Sequence, residues 1–291
     1  MTATSYLIAD NLPTKPAGLR FREALDSPGI LRLPVAHDGM SAIQAERLGF
    51  QALYLSSAAR AAFTGLPDLG INTVGEVAFF VRQITRFSSL PLLVDGDTGY
   101  DEALNVIQMV CSFEDAGAAA VHLQDQILPK EYGRLNNKKL ALAVDMAAKI
   151  EAAVRARRHL FVIARTDAAA SEGIDGAVTR AKLYVEAGAD AIFPEALTSV
   201  EMFREVRARL PGVRLLANMT EFDRTPPLSA EDFQELGYDM AIWPVSSLRA
   251  ANKTRERCMS SPRPDAFSGQ WSPCSTCHSG MRSWSQIVQG A

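Results

Sequence analysis

The sequence predicts an α/β fold, a single-domain (β/α)8 TIM barrel, on three observations. Eight short apolar runs of strand-forming residues recur along the 291-residue chain. Stretches of helical periodicity separate them, as parallel βα units require. Each run stops abruptly on polar or charged side chains. Eight such units close into a barrel whose active site lies where the strands end, so the polar residues at those ends are expected to carry the chemistry.

The runs are LRLPVAHD (31–38), ALYLSS (52–57), LPLLVDGD (90–97), AAAVHLQD (118–125), LFVIARTD (160–167), AIFPEA (191–196), VRLLANMT (213–220) and MAIWPVS (240–246). Ahead of them, residues 1–18 read as a loose polar arm and 19–28 as a short amphipathic helix over the barrel floor. GMSAIQAERLGF puts Ile43, Ala45 and Leu48 on one side and ends at Gly49, a suitable helix stop. TVGEVAFFVRQITRF is apolar at Val77, Phe80, Val81 and Ile84, the i, i+3, i+4, i+7 stripe. DEALNVIQMVCSFEDAG, GAVTRAKLYVEAG and SVEMFREVRARL behave likewise, and two of the three stop at glycine. The barrel is expected over 19–257, followed by an irregular tail over 258–291. That tail is rich in Ser, Pro, Gly, Cys and Trp without apolar periodicity; its abrupt change of composition also fits a shifted reading frame.

Composition narrows the function. With 47% hydrophobic and 22% charged residues and a formal net charge of −3, the chain has no electrostatic case for nucleic acid or an anionic membrane. The N-terminus lacks the pattern of a signal peptide, and no apolar run reaches the roughly 18 residues of a membrane span. The expected location is the cytoplasm. Cys111 reads as a small packing residue in a helix. Cys274-Ser-Thr-Cys277-His278 matches a haem-attachment spacing, but haem attachment needs export and a lone zinc half-site needs two further ligands.

Asp95-Gly96-Asp97 ends the third strand and sets two carboxylates two residues apart. That pattern suits a hard divalent cation, with helix capping as the competing reading. His122-Leu-Gln124-Asp125 ends the fourth strand and places Gln124 or Asp125 near the same ion. Arg165 closes the fifth; an arginine at the end of an apolar strand needs an anion, either substrate carboxylate or an internal partner, Asp167 or Glu195. Glu195, Asn218 and Thr220, then Ser246, Ser247 and Arg249 complete the ring and suggest a polycarboxylate pocket. His37 and Asp38 are expected to pack and cap. The long polar loop after the fourth strand reads as a lid, with Lys130, Tyr132 and Arg134 as candidate acid and anion clamp; a solvated basic loop is the alternative.

YLSS with GLPDLG, LLVDGDTGY, HLQDQILPK, ARTDA, FPEA, LANMTEF and WPVSSLRAANK resemble, over about residues 25–257, the isocitrate lyase and phosphoenolpyruvate mutase superfamily. NMTE and SSLRA are most similar to its 2-methylisocitrate lyase and carboxyphosphonoenolpyruvate mutase branch. The resemblance implies Mg²⁺ dependence, with Mn²⁺ as the alternative ion, and a homotetramer with swapped C-terminal helices. It also implies Asp95 and Asp97 as metal carboxylates and Asp68 in the metal's water shell. Ser56, Ser57 and Ala58 match a substrate-binding turn, and Arg165, Glu195, Asn218, Thr220 and Arg249 match substrate-binding positions. Three departures stand out. Tyr132-Gly133-Arg134 replaces the lyases' Cys-Gly-His, Gln124 replaces a glutamate, and the irregular tail replaces the swapped helix. An aromatic-Gly-Arg loop is similar to that of the superfamily's oxaloacetate decarboxylases. The expected activity is therefore an Mg²⁺-dependent carbon–carbon lyase on a small 2-hydroxy or 2-oxo polycarboxylate. An oxaloacetate decarboxylase, a phosphonate mutase and a carboxylate-binding paralogue without turnover remain as alternatives.

Overall fold

Eight strands form within the eight apolar runs: β1 Leu31–Pro34, β2 Leu53–Leu55, β3 Leu92–Asp95, β4 Ala120–Gln124, β5 Phe161–Thr166, β6 Ala191–Pro194, β7 Leu216–Asn218 and β8 Met240–Trp243. The structure is a computed structural model and describes residues 13–130, 138–221 and 225–260. All ladders are parallel and fall into two arcs, β2-β3-β4-β5-β6 and β1-β8-β7. Single parallel bridges, Val35 to Tyr54 and Ile192 to Leu215, join the arcs at both seams. The sheet is thus a closed (β/α)8 barrel.

Among the described residues ten α-helices accompany the strands: α1 Ala17–Leu25, α2 Gly39–Arg47, α3 Ser57–Thr64, α4 Val74–Thr85, α5 Ala103–Asp115, α6 Ala143–Ala156, α7 Gly173–Glu186, α8 Val200–Arg209, α9 Ala230–Glu235 and α10 Ser246–Ser260. Strand alternation divides the core. Leu33, Tyr54, Leu93, Ile163, Phe193 and Ile242 point into the barrel and pack as one cluster. Their neighbours Leu53, Leu55, Leu92, Val94, Val162 and Ile192 face the helix layer. A period of two explains both faces.

The floor is closed by α1, as its amphipathic pattern predicts. Phe21 is fully buried, and its ring lies 5.3 Å from that of Phe161. The helix seats so closely that a Cβ on Gly18 would come within 1.9 Å of the His159 carbonyl oxygen. The stripe on α4 is buried at all four predicted positions.

Two packing expectations fail. Leu48 is 77% exposed, because α2 stops at Arg47 and buries Ala42 and Ala45 instead. Cys111 is exposed; α5 turns Val106, Met109, Val110 and Phe113 inward, and Cys111 stands one residue, about 100°, round the helix from Val110. At the C-terminus, α10 continues to Ser260, past residue 258, where the tail is expected to begin. The rest of that tail, with Cys274, Cys277 and His278, and residues 1–12 of the arm lie outside the described residues.

Candidate active site

The same alternation that fills the barrel also aims the polar residues. Asp95, Gln124, Arg165, Glu195 and Asn218 each stand two residues beyond a buried inward-facing residue of their own strand: Leu93, His122, Ile163, Phe193 and Leu216. Together with Tyr54, Ser56, Ser57, Ala58, Asp68, Lys130 and Thr220 they line a small cavity of about 60 Å³ at the strand ends. This is the C-terminal mouth, where barrel enzymes place their chemistry.

One side of the cavity is acidic. The Asp95 carboxylate is 2% exposed. Its Oδ2 accepts from the Ser57 N–H and from the Tyr54 hydroxyl, each at 3.2 Å, and its Oδ1 accepts from the Asp97 N–H at 3.0 Å. The Asp97 carboxylate takes a bond from Arg60 Nη2 at 2.9 Å and a direct contact from the Lys130 ammonium. Lys130 also reaches Asp68 at 2.8 Å and donates to Ser57 Oγ at 3.0 Å, while Ser57 Oγ donates to Asp68 at 3.3 Å. The glycine between the two aspartates is forced by packing. A Cβ on Gly96 would lie 2.8 Å from Val121 Cγ2 and 3.0 Å from the His122 carbonyl oxygen.

Burial would raise the Asp95 carboxyl, but His122, Lys130, Arg165 and Arg60 hold it far below the usual range. Its neighbour Asp97 is pushed upward by burial and by the Asp95 carboxylate, with Lys130 and Arg60 opposing. Burial disfavours the Lys130 charge, yet Asp97, Asp95 and Asp68 outweigh it and keep the proton on. As it stands Lys130 is an acid, not a base. Beneath them His122, fully buried, is lowered to about 4, chiefly by burial, and is neutral at pH 7. Its Nε2 lies 2.9 Å from the Tyr54 hydroxyl.

The opposite side presents donors. Arg165 binds Asp167 side-on, Nε to Oδ2 and Nη2 to Oδ1, both at 3.0 Å. The same guanidinium reaches Glu195 at 3.6 Å and lies 5.1 Å from the centre of the Phe193 ring. Asn218 Nδ2 donates to both oxygens of Glu195 at 3.3 Å, and Thr220 Oγ1 donates to Asn218 Oδ1 at 2.9 Å. Internal pairing and cavity lining therefore coexist at Arg165. Gln124 lines the cavity between the two sides.

Several expected residues stand elsewhere. Asp125, the alternative to Gln124, faces the helix layer, because successive strand residues point to opposite faces. It accepts there from Thr166 Oγ1 at 2.7 Å, Tyr184 Oη at 2.9 Å and the Asp167 N–H at 2.9 Å. Arg249 binds the Glu221 carbonyl at 2.7 Å and carboxylate at 2.9 Å and does not line the cavity, being set on α10. Ser246 and Ser247 line a separate groove with Trp243 outside it. His37 is buried, and Asp38 caps α2 by accepting from the Ser41 N–H at 2.7 Å. Tyr132, Gly133 and Arg134 lie outside the described residues.

Sequence reasoning passed over Tyr54 and Arg60. Tyr54 sits inside an apolar run and reads as core. Arg60, 1% exposed, looks like any arginine on a helix; its one signal is its setting among alanines, in SAARAA.

The donor set around Lys130 is all hard oxygen, the kind that Mg²⁺ takes. Among the described residues, no three His, Cys, Asp or Glu side chains converge as a closed cage. Asp95, Asp97, Asp68 and Gln124 therefore fit an ion held by one or two carboxylates with water and substrate oxygens completing its shell.

A closed parallel barrel with buried carboxylates, an arginine and amides around one cavity at its C-terminal mouth defines a barrel enzyme for a small oxygen-rich anion. The family model described as phosphoenolpyruvate phosphomutase matches residues 21–261, and the chain belongs to that family. It is 51% identical to the 2-methylisocitrate lyase of Bacillus subtilis (strain 168) over 82% of this chain and 79% of that protein. The solved structure of 2,3-dimethylmalate lyase, described as a member of the PEP mutase/isocitrate lyase superfamily, superposes with a TM-score of 0.85. It is 33% identical, over 96% of this chain and 99% of that one. A phosphonopyruvate hydrolase solved with oxalate and Mg²⁺ superposes with a TM-score of 0.78 at 26% identity, over 95% of this chain and 99% of that one.

Proposed function

We propose that the chain cleaves a carbon–carbon bond of a small 2-hydroxy or 2-oxo polycarboxylate, in the manner of 2-methylisocitrate lyase, and releases pyruvate or a related 2-oxo acid. The observation that carries this reading is the polarity of the cavity. Acidic side chains and an ammonium stand on one side, and Arg165, Asn218 and Thr220 stand on the other. Relatives named as 2-methylisocitrate lyases at about half identity support it.

Asp95 and Asp97, backed by Asp68 and Gln124, would hold Mg²⁺, with Mn²⁺ as the substitute. When bound, such an ion supplies Lewis-acid polarisation of the substrate's carboxylate and α-oxygen. The protein's own groups do the rest. Arg165, fixed by Asp167 and by Phe193, offers a pre-aimed guanidinium for substrate carboxylate, so little reorganisation is needed as charge develops. Asn218 and Thr220 face the substrate's oxygens from the other strand ends, and Glu195 accepts from its hydroxyl group. The first turn of α3, at Ser56, Ser57 and Ala58, turns its positive end to the cavity. The Ser57 N–H, however, is already committed to Asp95, so backbone stabilisation by that amide is not available. Lys130 carries the proton that the leaving carbanion needs. Lys130 sits on Asp97 and Asp68, so it has to release them for the carboxylates to turn to an ion.

The second reading, an oxaloacetate decarboxylase-like enzyme, rests on the Tyr132-Gly133-Arg134 sequence in place of Cys-Gly-His. Tyrosine, with a pKa near 10, is a weaker acid than cysteine, and decarboxylation asks less of that loop. Among the described residues no helix is long and apolar enough to cross a membrane. The proposal places the enzyme in the cytoplasm as a homotetramer. The test is pyruvate release from methylisocitrate, isocitrate, dimethylmalate and oxaloacetate, with Mg²⁺ and after chelation. Mg²⁺-dependent cleavage of a 2-hydroxy tricarboxylate or dimethylmalate is the expected result. Turnover of oxaloacetate alone selects the decarboxylase, and no turnover of any acid refutes both.

A further inference from the structure

Among the described residues, Gln124 lines the cavity with a fully buried side-chain donor left unpaired. Its side chain is 2% exposed, and its Nε2 has no acceptor among the described residues. Leaving such a donor buried and unpaired is costly, so native structures seldom do so without a reason. Its surroundings say what is missing. Gln124 on β4 is the register partner of Arg165 on β5, so the two side chains leave adjacent strands at the same level, roughly 5 Å apart, on the same inner face. The Nη1 of Arg165 likewise has no hydrogen-bond partner among the described residues, its Nε and Nη2 being committed to Asp167. An amide N–H beside a guanidinium N–H offers a substrate carboxylate donors from two neighbouring strands. The carboxylates that line the cavity, Asp95, Asp68 and Glu195, are acceptors already, so an acid at position 124 would repel the same ligand.

We infer that Gln124 is a specificity-determining residue that donates, beside Arg165, to one carboxylate of the substrate and so sets the cavity's preference for a fully anionic oxygen there. Its Nε2 then serves the substrate, and its Oε1 is left for the metal side. This inference rests on the lyase reading and refines it.

Oxalate, which a structural neighbour binds with Mg²⁺, and oxamate, in which one carboxylate is an amide, are the probes. Binding of each to the Mg²⁺-loaded, full-length protein is measured by calorimetry for wild type, Gln124→Met and Gln124→Glu, with circular dichroism confirming the fold of each variant. Gln124→Met, of similar shape without the donor, is expected to weaken oxalate about tenfold, the scale of one hydrogen bond to a charged group. Gln124→Glu is expected to weaken oxalate further and oxamate less, so that the oxalate-to-oxamate affinity ratio falls at least tenfold. A merely structural role would lower both ligands equally and leave the ratio unchanged, which overturns the inference. Oxalate binding to Gln124→Met within twofold of wild type overturns it too, as does tighter binding to Gln124→Glu. If wild type binds oxalate in none of these conditions, the lyase reading fails and the inference falls with it; binding by wild type with an unaltered ratio sinks the inference alone.

Discussion

Replacing Arg165 by lysine separates what the guanidinium does for the fold from what it does for the substrate. Arg165 holds Asp167, which is fully buried, through two bonds of 3.0 Å. A lysine keeps the charge but loses the fork, so one charge-assisted bond, worth about 1.5–3 kcal/mol, goes with it. Breaking a buried pair outright costs about 3–5 kcal/mol, but Lys138 also contacts Asp167 and limits the damage. The expected loss is therefore about 2 kcal/mol for Arg165→Lys and about 3–5 kcal/mol for Arg165→Met. Urea unfolding followed by circular dichroism reads it. Pyruvate release by the folded fraction reads the second role. Losing a pre-aimed donor lowers kcat/KM on the order of 10²-fold. An Arg165→Lys protein within 0.5 kcal/mol and threefold of wild type, both about the limit of such measurements, would refute both roles. Lost stability with full activity would leave Arg165 as a strut for Asp167.

Three further outcomes follow from packing and charge. Gly96→Ala puts a methyl 2.8 Å from Val121 and 3.0 Å from the His122 carbonyl. It should cost about 1–3 kcal/mol and, by displacing Asp95 and Asp97, abolish most turnover; unchanged kinetics would show that the aspartates need no fixed spacing. Phe21→Ala removes the plug of the floor and should cost about 3–5 kcal/mol while leaving kcat near wild type at 25 °C, because the plug sits at the far end from the cavity. Glu114 accepts from the N–H groups of His159 and Leu160, both at 2.7 Å, and of Arg158 at 2.9 Å. Burial pushes its carboxyl up, but these bonds win and set it below its ordinary 4.5. A depressed acid stabilises fully above the unfolded value and loses that contribution as pH falls through the folded one. Chemical denaturation between pH 7 and pH 3 should therefore show a steeper acid loss in wild type than in Glu114→Gln; parallel curves would remove Glu114 from the acid limb.

The barrel was legible because buried parallel strands print themselves as unbroken apolar runs, and the mouth was legible because each run had to stop at the water. Asp95, Gln124, Arg165, Glu195 and Asn218 all came from that rule. Applying the period of two one step further would have turned Asp125 outward and kept Gln124 inward. Residues placed by helices were harder. Arg60 holds Asp97 from α3, and nothing in its local pattern separates it from an exposed arginine. Arg249 lies on α10 and its distance from the cavity depends on how that helix leaves β8, which no spacing encodes. Leu48 and Cys111 failed for a related reason: where a helix stops, and which side of its stripe a neighbour takes, are decided by packing against the sheet. Tyr54 was hidden in plain sight, since a tyrosine inside an apolar run counts as core until its hydroxyl is found on Asp95.

The acidic side of the cavity is expected to take one hard cation together with an oxyanion. A crystal of the protein grown with Mg²⁺ and oxalate tests it most directly. The expected result is a single ion at about 2.0–2.1 Å from Asp95 or Asp97 oxygens or their ordered waters, with oxalate reaching Arg165 and Lys130 withdrawn from Asp97. Oxalate bound without an ion, or Asp97 still tied to Lys130 and Arg60 at saturating Mg²⁺, would contradict it.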